Sequence, residues 1–351
     1  MLTESRIFIA CLACLLLSAC GTPYLLQAAH GELKVLGERK PISTVVADPA
    51  TPAGVRSSLQ SVSSARDFAS RVLGLPDNRS YRTYADIGRP YVVWNVVATP
   101  EFSVQPRQWC FPVAGCVAYR GYFKESKARA FAAQLAARGD DTLVDGVPAY
   151  STLGRFADPV MSSMLVYGDA GLAGILFHEL AHQLIYVRND SAFNEAFATA
   201  VEEEGLRRWL IYQGQLDELT RFEAAQARDR RFTQLLLQGR AALTKLYATG
   251  LPSPQMRARK HELLASLAAQ IRTLEQHENV RSGYERWLAQ GLNNAHLASV
   301  ATYYDCIPGF ERLLAEDRGE LARFYADVRA LARRPQAERD AAVCARGGSG
   351  T

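Results

Sequence analysis

Two histidines one helical turn apart constrain this chain more than any other feature: His178-Glu179-Leu180-Ala181-His182. Residues i and i+4 share one face of an α-helix, so both imidazoles can reach a single ion only if this stretch is helical. Apolar residues precede it and nothing near it breaks a helix. Glu179 lies about 100° around the helix from His178, which sets its carboxylate beside the open position of such an ion, where it can take a proton from water. Zinc suits the site, because imidazole nitrogens and one carboxylate oxygen leave one tetrahedral position for water. The chain carries its own control in His261-Glu262-Leu263-Leu264-Ala265. Alanine stands there where the second histidine is needed, and the stretch reads as a solvated helix face.

Composition narrows the setting. Of 351 residues, 48% are hydrophobic and 22% charged, too apolar for a disordered chain. The long uncharged apolar run is N-terminal, which excludes a polytopic membrane protein. Forty basic against thirty-six acidic residues make no basic field, so a nucleic-acid partner is not expected. The run from Ile7 to Leu17 follows Arg6 and has the length of a signal-peptide core. It leads into Leu17-Ser18-Ala19-Cys20-Gly21, which resembles a bacterial lipobox. Cys20 is then the lipidated residue and the membrane is a partner through its acyl chains. Gly21, in place of aspartate, resembles the pattern of lipoproteins sent to an outer membrane, so a periplasm-facing envelope location is expected. An ordinary signal peptide with an incidental cysteine is the plainer alternative. Once Cys11 and Cys14 leave with the leader, Cys110, Cys116, Cys306 and Cys344 remain, an even number suited to an oxidising compartment. Cys110 with Cys116 and Cys306 with Cys344 is one arrangement of two disulfides, though the sequence does not fix the pairing; four buried thiols are the other reading.

Residues 1–19 read as the leader, 20–60 as a tether and entry segment, and 61–351 as the main domain. Within it a sheet-containing part covers about 61–168, the helices bearing the motif about 169–212, and a helical half about 213–345. A short helix is expected over Ser63–Leu75, strands over Tyr91–Ala98, within Trp109–Phe123 and near Val144–Ser151, and a helix over Glu125–Arg138. The amphipathic stretches from Leu216 to Leu246 and from Met256 to Gln290 should pack as an antiparallel pair. The fold class is therefore α+β and predominantly helical.

The two histidines need a third ligand. Asn194-Glu195-Ala196-Phe197-Ala198 follows after twelve intervening residues and resembles the N-E-x-F-A element of gluzincin metallopeptidases, whose glutamate is the third zinc ligand. Gluzincins commonly leave a longer gap, which Glu202, with nineteen intervening residues, fits better but without the local motif. The two glutamates are seven residues apart and can share a face. Glu195 is the favoured ligand, with Glu202 as the alternative or as support for a ligand or a substrate amine.

Several further segments carry a wider resemblance. They are Leu73-Gly74-Leu75-Pro76-Asp77-Asn78, Gly88-Arg89-Pro90-Tyr91-Val92-Val93-Trp94-Asn95, and Trp109-Cys110-Phe111-Pro112 through Gly115-Cys116-Val117-Ala118-Tyr119-Arg120-Gly121-Tyr122-Phe123. Ala149-Tyr150-Ser151-Thr152-Leu153-Gly154, Phe156-Ala157-Asp158-Pro159 and the region from Phe177 to Gly205 complete the set. Together they resemble a bacterial family of predicted aminopeptidase lipoproteins. The resemblance implies a zincin-like fold, with a small N-terminal sheet and a helical C-terminal half, and a zinc-dependent peptidase acting on a peptide substrate. The chain lacks the G-x-M-E-N segment that binds substrate amines in well-known gluzincin exopeptidases.

In that chemistry Glu179 is the general base, and a donor must stabilise the tetrahedral oxyanion. His296 and Tyr303, seven residues apart in a polar stretch from Asn293 to Asp305, are the candidates; as packing residues with satisfied polar tips they would look the same. Ala149–Gly154 is a candidate edge strand for an extended substrate. The competing readings are a non-catalytic envelope lipoprotein with a structural zinc, and a zinc endopeptidase.

Overall fold

The computed structural model describes residues 22–111, 115–149, 151–278 and 284–344. Residues 1–19, read from sequence as a leader, and Cys20 lie outside them. The first described segment is not a tether. Helix α1 (Thr22–Gly37), strand β1 (Lys40–Pro41), helix α2 (Ile42–Ala47) and helix α3 (Ala53–Arg71) follow one another closely. Val35, Ile42, Val45 and Leu59 are buried in the main core. Helix α1, with Pro23, Gly31 and Gly37, and the six-residue α2 are weak by themselves, and docking rather than propensity stabilises them. Pro41 and Pro52 cap α2 and α3 with φ of −53° each, a ring-fixed angle that suits a helix start. Helix α3 thus begins ten residues before Ser63. It ends where Gly74 turns at φ +67°, letting the Leu75 N–H bond back to Ala69 O at 3.0 Å.

Next come β2 (Thr83–Ala85), β3 (Val93–Pro100), β4 (Trp109–Phe111), β5 (Gly115–Val117), β6 (Arg120–Tyr122), helix α4 (Glu125–Ala136), β7 (Asp140–Val147) and β8 (Val160–Met161). They form three small sheets. β1 pairs antiparallel with β2, which pairs parallel with β8. β3 lies between antiparallel β6 and β7, with Asn95 opposite both Gly121 and Asp145. β4 and β5 form a ribbon in which Cys110 faces Cys116. The hydrophobic face of α4, through Ala128, Ala132 and Leu135, packs on Trp94, Val96 and Tyr122.

The expected edge strand over Ala149–Gly154 does not form; Tyr150 lies outside the described residues. Thr152 turns inward, its N–H and Oγ1–H bonding the Asp158 carboxylate at 3.1 and 2.7 Å, and Leu153 and Gly154 take φ of +57° and +75°. Side-chain bonds to a nearby carboxylate displace the backbone ladder here.

A short 3-10 helix over Ser162–Tyr167 leads into the helical part: α5 (Gly168–Leu184), α6 (Ser191–Tyr212), α7 (Leu216–Tyr247), α8 (Ser253–Glu278), α9 (Tyr284–Leu288), α10 (Asn294–Tyr304), α11 (Ile307–Glu316), α12 (Leu321–Ala332) and α13 (Gln336–Val343). Helices α5 and α6 approach closely where Gly205 meets Phe177; a Cβ there would lie 2.9 Å from the ring. α7 and α8 form the expected antiparallel pair, filled by Leu236, Leu243, Leu267 and Ile271. α11 and α12 back the other side of α6, with Phe310 against Phe193 at 5.0 Å and Phe324 against Phe197 at 6.0 Å. Both disulfides of the arrangement considered from sequence are present, Cys110–Cys116 and Cys306–Cys344. The architecture is α+β with helices predominating.

Candidate metal centre

Helix α5 is buried on nearly every side, with Leu172, Leu176, Phe177, Leu180 and Ala181 in the core. Its rigid frame holds His178 and His182 one turn apart with their Nε2 atoms 3.1 Å from each other. The helix stops at Ile185, whose φ of −142° and ψ of 124° are extended, and only residues 185–190 separate it from α6. That connection is clamped from inside the motif. Asn194 Oδ1 accepts from the Val187 N–H and its Nδ2 donates to Val187 O, both at 2.7 Å. Asp190 caps α6 by accepting from the Phe193 N–H at 3.1 Å, and its other oxygen takes two bonds from buried Arg339 at 2.8 and 2.6 Å.

The short clamped loop brings Glu195, in the first turns of α6, back over the histidines. Its Oε2 lies 3.3 Å from His178 Nε2 and 3.4 Å from His182 Nε2. These three atoms could hold a metal ion. A tetrahedral ion bonded at ~2.0–2.1 Å has donor–donor edges of about 3.3–3.4 Å, close to the triangle observed. Glu202 does not join the triangle. Two turns further along α6, its Oε2 sits 3.0 Å from the other ring nitrogen of His178, Nδ1. It therefore orients the imidazole from behind.

Electrostatics follow the geometry. Burial disfavours a charged His178, but the carboxylates of Glu195 and Glu202 outweigh it and hold the imidazole pKa well above its ordinary value. Burial likewise opposes the Glu195 anion, and the two histidines overcome it, drawing the carboxyl down to about 2. Glu179 is 8% exposed. Burial pushes its pKa up, the histidines pull against this, and Glu195 and Asp158 add to the rise. A carboxylate with a raised pKa is the more willing proton acceptor.

The centre opens into a cavity of about 480 Å³. Val93, Phe111, Val117, Phe123 and Val147 give it apolar walls, and α1 contributes Tyr24 and Ala28. Two hydroxyls that the sequence reading missed line it as well, Tyr119 and Tyr186. Burial raises both phenol pKa values and the nearby Glu195 charge raises them further, so both remain neutral donors. Tyr186 stands one turn beyond His182 in register and could have been noticed; Tyr119 sits in a strand connection with no such pattern. The donors expected from sequence are elsewhere. His296 does not line the cavity. It is 1% exposed, its Nδ1 is 3.0 Å from Asn293 Oδ1, and its ring stands edge-on to Trp287 at 4.8 Å. Burial alone lowers its pKa to about 4, as for an imidazole used in packing. Its Nδ1 is met by the residue just before its own helix, while Nε2 is buried with no hydrogen-bond partner among the described residues. The side chain of Tyr303 lies outside the described residues. His261 and Glu262 are on an exposed helix face, Glu262 pairing with Arg259.

Remote segments lock α5 in place. Buried Arg66 donates to Pro76 O at 2.7 Å and Ser80 O at 3.0 Å, fixing the loop that carries Asn78. Asn78 Nδ2 donates to Gln183 Oε1 at 2.7 Å, and Gln183 Nε2 donates to Asp158 at 3.3 Å. Gln183 immediately follows His182, so these bonds hold the helix end that carries the second imidazole. The Cys110–Cys116 ribbon docks on the α5–α6 connection, the Cys116 N–H donating to Asn189 Oδ1 at 2.8 Å.

No curated protein and no solved structure matches this chain. The family model described as "Putative aminopeptidase" matches residues 23–343, a span that includes the two histidines, Glu179, Glu195 and every wall of the cavity, and the chain belongs to that family.

Proposed function

We propose that this protein is a zinc-dependent aminopeptidase of the gluzincin type with a zincin-like fold, lipid-anchored through Cys20 in a bacterial envelope. The convergence of His178 Nε2, His182 Nε2 and Glu195 Oε2 with buried Glu179 on the same helix supports it most. Those three atoms would hold the ion. Zinc supplies a Lewis acid that acidifies water and polarises a scissile carbonyl.

The remaining work falls to side chains. Glu179 takes the proton of the attacking water and returns it to the departing amine. The neutral hydroxyls of Tyr119 and Tyr186 donate to the oxyanion, a role whose loss typically costs ~10²–10³-fold in rate. Glu202, half-buried and holding His178 through one oxygen, is the carboxylate available to a substrate α-amine. The apolar walls suit a hydrophobic side chain next to the cleaved bond.

Peptide hydrolysis by wild type and by Glu179→Gln at equal zinc content tests the reading. The substitution should lower kcat by about 10²-fold or more while zinc stays bound. Equal activity, or none in either across a broad peptide set, would leave a structural ion in a binding protein. A zinc endopeptidase is the second reading, favoured by the fact that Glu202, the carboxylate proposed for the amine, already has one oxygen bonded to His178 Nδ1 at 3.0 Å. Acetylating the substrate N-terminus separates them, since an aminopeptidase loses activity and an endopeptidase keeps it.

A further inference from the structure

Helix α1 is apolar on both sides. Its inner side is spent on the fold: Tyr24 stacks on Phe111 at 5.3 Å, Gln27 Oε1 accepts from the Phe123 N–H at 3.3 Å, and Gly31 lies against the Phe123 ring. Its outer side carries Leu25, Leu26 and Leu33, which are 46, 64 and 65% exposed. At 100° per residue, Leu25, Leu36, Ala29, Leu33 and Leu26 fall within about 100° of arc, an apolar stripe interrupted only by Thr22 at the first position of the helix. Exposed His30 and Lys34 border it on one side. An exposed stripe of this kind on a soluble surface calls for an occupant.

We infer that this stripe lies in the interfacial plane of a lipid bilayer, so that the cavity, walled by Tyr24 and Ala28 of the same helix, opens beside the membrane. The inference rests on the reading of Cys20 as the acylated residue. Helix α1 begins at Thr22, two residues after Cys20. With ~3.3–3.6 Å per extended residue and ~1.5 Å per helical one, the Cα of Leu25 lies within about 12 Å of that of Cys20. Amphipathic helices settle ~5–10 Å into the headgroup boundary, so acyl chains at Cys20 bring the leucines within reach of it. Lys34 at one edge is paired with Glu38 at 3.8 Å and Glu32 flanks the other edge, so apolar burial rather than charge favours the bilayer. A second exposed apolar patch, around Tyr167 and Leu216, is edged by Asp169, Asp217 and Glu218, the last paired with Arg221, and is less suited to such a surface. Substrates would then be peptides resting on or tethered to the same membrane surface.

The test uses the full chain, expressed with its leader and reconstituted into vesicles of phosphatidylethanolamine and phosphatidylglycerol. Ala29→Cys carries an environment-sensitive fluorophore, and mass spectrometry of the N-terminal peptide reports acylation separately. Lipids with brominated acyl chains should quench the probe by about two-fold or more. Combining Leu25→Gln, Leu26→Gln and Leu33→Gln should abolish the quench without changing acylation or the circular dichroism spectrum. Acylated protein with an unquenched probe overturns the inference and leaves the lipid anchor standing. A probe shielded by a second copy, seen as shielding that vanishes on diluting protein in lipid, also overturns it. Unacylated protein whose probe is still quenched upholds the stripe and removes the anchor; unacylated and unquenched protein removes both.

Discussion

At the scale of single residues the centre is a set of opposed preferences that geometry reconciles. Burial alone would favour neutral forms of His178, Glu179 and Glu195, yet the 3.0–3.4 Å contacts among His178, His182, Glu195 and Glu202 raise the His178 pKa and lower that of Glu195. One oxygen of Glu202 bonds His178 Nδ1 at 3.0 Å, a contact that fixes the ring and would raise its basicity toward a metal. Glu202→Ala should weaken zinc binding or activity by ~10–100-fold, measured by titration against a competing chelator. Glu203→Ala, next along the helix but paired with Arg230 at 3.4 Å, should leave zinc affinity unchanged. Equal losses in the two variants would show that Glu202 acts only through the helix.

Among elements, the decisive joint is the six-residue connection between α5 and α6. Its length and the Asn194 clamp on Val187 set which residue of α6 comes back over the two histidines, and that residue is Glu195. Helix α1 is the other element whose position matters, since it walls the cavity and carries an unusual acid. Glu32 is half-buried, its Oε2 has no hydrogen-bond partner among the described residues, and burial with the Asp158 charge pushes its pKa up to about 7. The folded chain thus keeps a proton on Glu32 that the unfolded chain releases near 4.5. Its contribution is full below about pH 4.5 and is lost as pH rises through about 7. Glu32→Gln should flatten the wild-type decline across that window, read as denaturation midpoints at several pH values. An unchanged slope would mean that Glu32 titrates normally.

For the whole molecule, two disulfides do different work. Cys110–Cys116 stiffens a ribbon at the cavity rim, whereas Cys306–Cys344 ties the start of α11 to the end of α13 behind α6, away from the cavity. Closing a loop of 38 residues stabilises by about 2–4 kcal/mol through the unfolded chain. Removing it with Cys306→Ser and Cys344→Ser should lower unfolding free energy by roughly that amount, while kcat/KM well below the melting range stays unchanged. A matching fall in kcat/KM would link the back of α6 to the centre. Much of this architecture could be read from the chain. His178, Glu179 and His182 were legible because helix periodicity alone puts i and i+4 on one face, and Asn194-Glu195 was legible as a local motif. Glu195 against Glu202 was not, because seven residues are two turns and both face the same way. Tyr119 and Tyr186 escaped because the cavity gathers them from a strand connection and a loop, while His296 looked equally polar in sequence and packs under Trp287. Helix α1 escaped because its stability comes from docking on Phe123 and the sheet. The sequence by itself determined which helix bears the chemistry, since that needs only backbone geometry within five residues; only the tertiary structure decided which glutamate, which hydroxyls and which helix complete the cavity, since those depend on distances between segments that no local periodicity encodes.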